Sequence, residues 1–205
     1  MHTDRVNSVT FDKNGLYVAS AADDNSVVIL DMMNNETAMS FYGHEHDVYS
    51  VAFHPTGYYV VSGSADKSVR VWDFKTKDNN EACVLKGHKG YVRSVAFNLL
   101  GTLIVSGSAD KTVGLWSFDV DDPRASVRVL TLRGHGFGIG SVAFSPCGKY
   151  VASGSKDTSV RVWDVSEEKQ KEIEEFKKKG GKLAQGEQEP KFEMMRIEVS
   201  PPDPA

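Results

Sequence analysis

Apolar residues along this chain come in short runs, each cut off by a turn, and the runs repeat. VYSVAF at 48–53, VRSVAF at 92–97 and IGSVAF at 139–144 are of one kind, and VNSVTF stands near the start at 6–11. Runs this short, rich in β-branched and aromatic residues and bounded by turn formers, suit buried strands; a helix needs ten or more residues at a 3.6 period. They predict a first strand over 48–53, 92–97 and 139–144. After turns at Pro55-Thr56-Gly57, Leu100-Gly101 and Pro146-Cys147-Gly148, a second strand is predicted over 58–62, 103–106 and 150–153. A second turn, Ser-Ala-Asp-Lys or Ser-Lys-Asp-Thr, leads to a third strand over 69–72, 113–116 and 160–163. A fourth is expected near 38–41, 82–85 and 127–132. Each unit therefore predicts one small sheet of four antiparallel strands.

The units keep a strict register. Gly43-His44, Gly87-His88 and Gly134-His135 introduce them, and each histidine stands 28 positions before Trp72, Trp116 or Trp163. A degenerate copy opens the chain, with His2 28 positions before Leu30. Such self-similarity marks stacked copies of one module. The copies divide the chain into units at 1–42, 43–86, 87–133 and 134–164, followed by a charged tail at 165–205. The Gly-His and the closing Trp-Asp resemble the WD-repeat family of β-propellers over residues 1–164, with Leu30 in place of tryptophan and Ser117 in place of aspartate as departures. The resemblance implies an all-β propeller of about four blades.

It also implies a role for the repeated polar residues. A buried indole needs an acceptor for its N–H, and a buried carboxylate needs donors. By resemblance, relays of His44, Ser62, Asp66 and Trp72, of His88, Ser106, Asp110 and Trp116, and of His135, Ser153, Asp157 and Trp163 meet both needs. His2, Ser20 and Asp24 form a weaker version, because Leu30 brings no indole. From the sequence, either serine of each Ser-Gly-Ser pair can serve.

His, Ser and Asp together also invite a hydrolase reading. Repetition argues against it, since a catalytic constellation is needed once and this one recurs beside every tryptophan. Cys83 and Cys147 lie far apart and have no partner at metal-ligand spacing. Lys179-Gly180-Gly181-Lys182 lacks the spacing and the Ser/Thr of a phosphate-cradling loop. The expectation is therefore a protein without catalytic centre, metal or cofactor.

Composition narrows the class. With 205 residues, 40% of them apolar, the chain can bury a core. Its net charge of −4 gives no basic field to draw nucleic acid or anionic lipid, so both are disfavoured as partners. No apolar run approaches the ~20 residues that span a bilayer, and no leader precedes the first unit. Two unpaired cysteines fit a reducing compartment, so cytoplasm or nucleus is expected.

Beyond Asp164 the chain changes character. EEKQKEIEEFKKK at 167–179 favours a solvated helix or coil, and the remainder, with three prolines at the end, is expected to be largely mobile. KFEMMRIEV at 191–199 alone is strand-compatible. It matters because the last unit reaches Asp164 with three strands only. Its fourth is expected from 191–199 first and 173–177 second. Four blades is the lower limit for propellers, and Met1 falls one residue before the first relay histidine, which reads as a shortened chain. An incomplete or open ring would bare apolar sheet faces, to be covered by a homodimer of eight blades or by another propeller chain.

Function then falls to surfaces. Within the frame Val-x-Ser-Val, Ile-x-Ser-Val in the last copy, x is Asn7, Tyr49, Arg93 or Gly140 while its neighbours repeat; just upstream, Asp47, Tyr91 and Phe137 or Gly138 also vary. Tyrosine and arginine are enriched in interface hot spots, which makes Asn7, Tyr49, Arg93, Tyr91 and Phe137 candidates for partner binding. The expected function is a non-catalytic scaffold or adaptor for other proteins or peptides. The alternative is a substrate-recognition or regulatory subunit of an enzyme complex, such as a ubiquitin ligase or a signalling complex.

Overall fold

Each repeat folds into one antiparallel sheet whose strands keep chain order. The computed structural model describes residues 1–74, 76, 80–169, 171 and 193–198. Sheet one holds β1 (Val6–Phe11), β2 (Tyr17–Ala22), β3 (Ser26–Asp31) and β4 (Glu36–Tyr42). Sheet two holds β5 (Val48–Phe53), β6 (Tyr59–Ser64), β7 (Val69–Asp73) and β8 (Asn80–Leu85). In sheet three are β9 (Val92–Phe97), β10 (Leu103–Ser108), β11 (Thr112–Ser117) and, after a 3₁₀ turn at Pro123–Ala125, β12 (Arg128–Arg133). Sheet four has β13 (Ile139–Phe144), β14 (Tyr150–Ser155), β15 (Ser159–Asp164) and β16 (Glu193–Glu198).

The second strands run through both serines of Ser-Gly-Ser, two residues beyond the sequence expectation. The reason is pairing: Gly63 lies opposite Val69 and Ser64 opposite Val48, so the ladder continues on both sides. The fourth strand of sheet four falls within 191–199, where β16 pairs along β15 with Val160 opposite Ile197 and Val162 opposite Met195. The helix or coil expected over 167–179 and the mobile remainder of the tail fall mostly on residues 170, 172–192 and 199–205, outside the described residues.

Val-x-Ser-Val places apolar residues three apart, which a regular strand would send to opposite faces. A β-bulge resolves this. Val48 pairs with Ser64 and Ser50 with Gly63, leaving Tyr49 as the extra residue. The same happens at Asn7, Arg93 and Gly140. Each bulge resets the alternation, so Val48 and Val51 face sheet one together, where they join Ala19, Ala21, Ile29 and Phe41 in one apolar cluster.

The core thus lies between sheets, in three such layers. Val61, Val71 and Leu85 of sheet two meet Val92, Val95 and Trp116 of sheet three; Val105 and Leu115 of sheet three meet Ile139, Val142 and Trp163 of sheet four. Burying one valine of this kind contributes on the order of 1.5–3 kcal/mol. Each junction also carries a hydrogen bond: the amide N–H of Val51, Val95 and Val142 donates to Ser8, Ser50 and Ser94 of the preceding sheet at 3.3, 3.1 and 3.1 Å. The first strands β1, β5, β9 and β13 pack in that order, and no comparable packing joins β13 to β1 among the described residues. The four sheets form a propeller that does not close.

Candidate functional site

In sheets two to four the polar residues form one hydrogen-bonded chain per sheet. Trp72 Nε1 donates to Ser62 Oγ at 2.8 Å, Ser62 Oγ meets His44 Nε2 at 2.7 Å, and His44 Nδ1 meets Asp66 Oδ2 at 2.7 Å. Corresponding distances are 2.8, 2.8 and 2.9 Å for Trp116, Ser106, His88 and Asp110, and 2.8 Å throughout for Trp163, Ser153, His135 and Asp157. The indole can only donate and the carboxylate only accept, so the Nε1–H of each tryptophan points to the serine and the Nδ1–H of each histidine to the aspartate; a neutral imidazole then accepts the serine proton at Nε2. The first serine of each Ser-Gly-Ser is the member. The second does a different job: Ser64 Oγ donates to the His46 carbonyl and accepts from the Asp66 amide. In sheet one His2 joins Asp24 at 3.0 Å and Ser20 at 2.8 Å, and Ser20 Oγ donates to the Val28 carbonyl.

The sequence reading missed a fifth member. Ser68, Thr112 and Ser159 donate their hydroxyls to the Asp66, Asp110 and Asp157 carboxylates at 2.7, 2.6 and 2.6 Å, as Ser26 does to Asp24 at 2.6 Å. The signal was present in the frame Asp-x-Ser/Thr, where backbone N–H groups two residues on also reach the carboxylate. Burial alone would raise these carboxyls. Donation from His44 and Ser68 to Asp66, and from His88 and Thr112 to Asp110, outweighs it and holds both well below the usual carboxylate range. Asp157 is lowered in the same way by Ser159, Gly136 and His135, and Asp24 lies near 2. Burial pushes the His44 imidazole down against the pull of Asp66. Ser62, Ser106 and Ser153 are fully buried, so no substrate reaches their hydroxyls.

The turn that makes these bonds holds its middle residue in the left-handed region, with φ of 66° at Asn25, 72° at Lys67, 71° at Lys111 and 66° at Thr158. A β-branched residue is least suited to it. Thr158→Asn is expected to stabilise the chain by ~1 kcal/mol, read as a raised urea midpoint.

The bulge residues gather on the end of the sheets where the first strands begin, here the upper face. Tyr49 and Tyr91 have ring centroids 6.3 Å apart, and the Arg93 guanidinium lies 5.7 Å above the Tyr49 ring. Burial and then the neighbouring Asp47 push the Tyr49 phenol up, which keeps it an O–H donor. Tyr49 and Tyr91 border a cavity of about 500 Å³ whose walls also include His46, Asp47 and Lys67. Phe137 stands apart, exposed, with the Lys111 ammonium 5.6 Å from its ring. Both amide hydrogens of Asn7 are used within the chain, by Asp23 Oδ1 at 2.6 Å and the Val48 carbonyl at 3.0 Å. Asn7 is thus a clamp between sheets one and two, and the candidate surface narrows to Tyr49, Tyr91 and Arg93.

At the opposite end, Phe11, Phe53, Phe97 and Phe144 close the first strands around an apolar cavity of about 620 Å³. The sequence reading did not single these out, although the last position of every Val-x-Ser-Val-x-Phe run pointed to them. Among the described residues no group of three or more His, Cys, Asp or Glu is placed to hold a metal, and no helix is long and apolar enough to cross a membrane.

A family model for the WD domain, G-beta repeat, matches residues 1–31, 35–73, 79–117 and 126–164. No curated protein matches the chain.

Proposed function

The chain belongs to the WD-repeat family, and on that premise we propose that it is a non-catalytic scaffold whose upper face holds a protein or peptide at Tyr49, Tyr91 and Arg93. Repeats of this family generally mediate protein–protein interaction and scaffolding. The observation that carries the reading is the bulge. Bulges turn a side chain out of the ladder and recur next to functional sites. Here they present different chemistry in each sheet while the flanking valines and serines repeat.

The aromatic pair and the guanidinium offer stacking, cation–π and hydrogen-bond contacts at one place, the mix found in interface anchors. Asp47 and Lys67 beside them add charge of both signs, which favours a polar peptide over an apolar small molecule. The relays are structural in this reading. They fasten the loop that carries each histidine to the turn that carries each aspartate, and so hold the upper face rigid.

The test begins with a random peptide library selected on the immobilised wild-type chain. Binding of a selected peptide to the Tyr49→Ala/Arg93→Ala variant is expected to weaken at least tenfold, or ~1.4 kcal/mol, with thermal unfolding unchanged. Equal affinity for the variant and the wild type would remove these residues from the binding surface.

A further inference from the structure

The two end sheets each leave one face uncovered, and the faces are counterparts of faces that do pack inside the chain. On sheet one, Val6 and Val9 are 46% and 67% exposed, whereas their equivalents Val48 and Val51 in sheet two are 0% and 5% exposed against sheet one. On sheet four, Met195 and Ile197 are 54% and 50% exposed. Their register partners Val162 and Val160 identify them as equivalents of Met39 and Phe41, which pair with Ile29 and Val27 and are buried against sheet two. The exposed face of sheet four therefore repeats the face onto which sheet two docks, and the exposed face of sheet one repeats the face that docks.

We propose that the occupant of both faces is a second copy of this chain, joined head to tail, with sheet four of each copy seated on sheet one of the other. A contact between two different patches of the same chain is heterologous and closes into a ring when the rotation allows. Two junctions give an eight-sheet ring, within the range that propellers adopt.

Gly154 is the most specific observation. At its equivalents the next sheet rests on the glycine: an added Cβ would lie 2.7 Å from Val92 Cγ1 at Gly63, and 2.7 Å from Ile139 Cγ2 at Gly107. At Gly154 nothing lies within 4 Å. The close approach that glycine permits has no neighbour within the chain, and Val6 and Val9 of a second copy are the side chains of matching position.

The inter-sheet hydrogen bond is likewise half present. Ser141 occupies the position of Ser8, Ser50 and Ser94 and is exposed, while the Val9 amide occupies that of Val51, Val95 and Val142. Docking would join Val9 N–H of one copy to Ser141 Oγ of the other. Side-chain sizes also adjust together. Phe41 stacks on Trp72 with centroids 5.3 Å apart; at the proposed junction Ile197 stands for the phenylalanine and Leu30 for the tryptophan, so both partners are smaller. This assembly does not depend on what the upper face binds.

Light scattering after size exclusion tests it on the full chain at tens of micromolar. The wild type is expected at twice the chain mass of 22.5 kDa. Gly154→Leu is expected at the single-chain mass with the circular dichroism of a folded chain, since the added side chain enters open space within its own chain, and with thermal unfolding lowered only by the lost association. Val9→Asp, on the other face, is expected to be single as well. Mixing the two variants should restore a two-chain species, because one intact junction remains between them. A single-chain wild type, a dimer that persists in Gly154→Leu, a mixture that stays single, or species that keep growing with concentration would each overturn the two-copy ring.

Discussion

Trp116→Ala is expected to cost the fold roughly 3–5 kcal/mol, in the range for large aromatic truncations in a core. Trp116 is fully buried between sheets two and three, within the cluster that holds Val92, Val95 and Phe118. Its loss removes the layer's largest side chain and the Nε1–H bond to Ser106. It also removes the cation–π contact of Arg128, whose guanidinium lies 4.9 Å over the indole. Because total stability is ordinarily 5–15 kcal/mol, this variant should unfold far earlier in urea than the wild type. Sheet one shows a milder state of the same device: Leu30 fills the position without donating, and Ser20 turns its hydroxyl to the Val28 carbonyl. A loss below about 1 kcal/mol in Trp116→Ala would mean that the ring is not holding the layer together.

Acid is expected to unfold the chain in two stages, both of one sign. The His44 imidazole is lowered by burial and so is His54. A group whose pKa falls on folding binds its proton more readily in the unfolded chain, so stability begins to fall as pH drops through the ordinary histidine value of about 6.5. The aspartates follow. Their stabilisation is complete above the ordinary value of about 4 and is lost as pH falls through the lowered one. For Asp24 that window runs to about 2 and corresponds to about 2 kcal/mol; for Asp66, Asp110 and Asp157 it extends lower still. Urea midpoints measured by circular dichroism should decline gently from pH 7 to 5 and steeply below 4. Asp110→Asn should flatten the lower part. Midpoints that rise on acidification would show that the relay does not rest on a neutral imidazole beside a carboxylate.

Repetition made the sheets legible. Four aligned copies of one polar and apolar pattern carry the strand positions and the polar residues that the hydrogen bonds join, since a register held over 28 positions leaves little freedom. Where legibility failed, the deciding physics was non-local or off the strand period. Val48 and Val51 share a face only because a bulge at Tyr49 intervenes, and alternation alone cannot announce a bulge. Ser68, Thr112 and Ser159 do not stand out in the sequence because their role depends on a turn with left-handed backbone at non-glycine residues, which turn propensities understate. Asn7 reads as a free amide until sheet two supplies the Val48 carbonyl. Ser-Gly-Ser has the composition of a turn, which ends the expected strand at Ser62, whereas pairing on both sides carries β6 on to Ser64.

On the proposed function, the repeated residues hold the molecule and the variable ones contact its partner. One binding series separates the two most directly: wild type, Ser106→Ala and Tyr49→Ala/Arg93→Ala, each titrated with the same selected peptide and each unfolded in urea. Ser106→Ala, which leaves the Trp116 N–H and the His88 ring without their common partner, should lose stability and keep its affinity. The double variant should keep its stability and lose at least tenfold in affinity. The reverse pattern, with Ser106→Ala abolishing binding in a chain that remains fully folded, would place function in the relay and not in the variable residues.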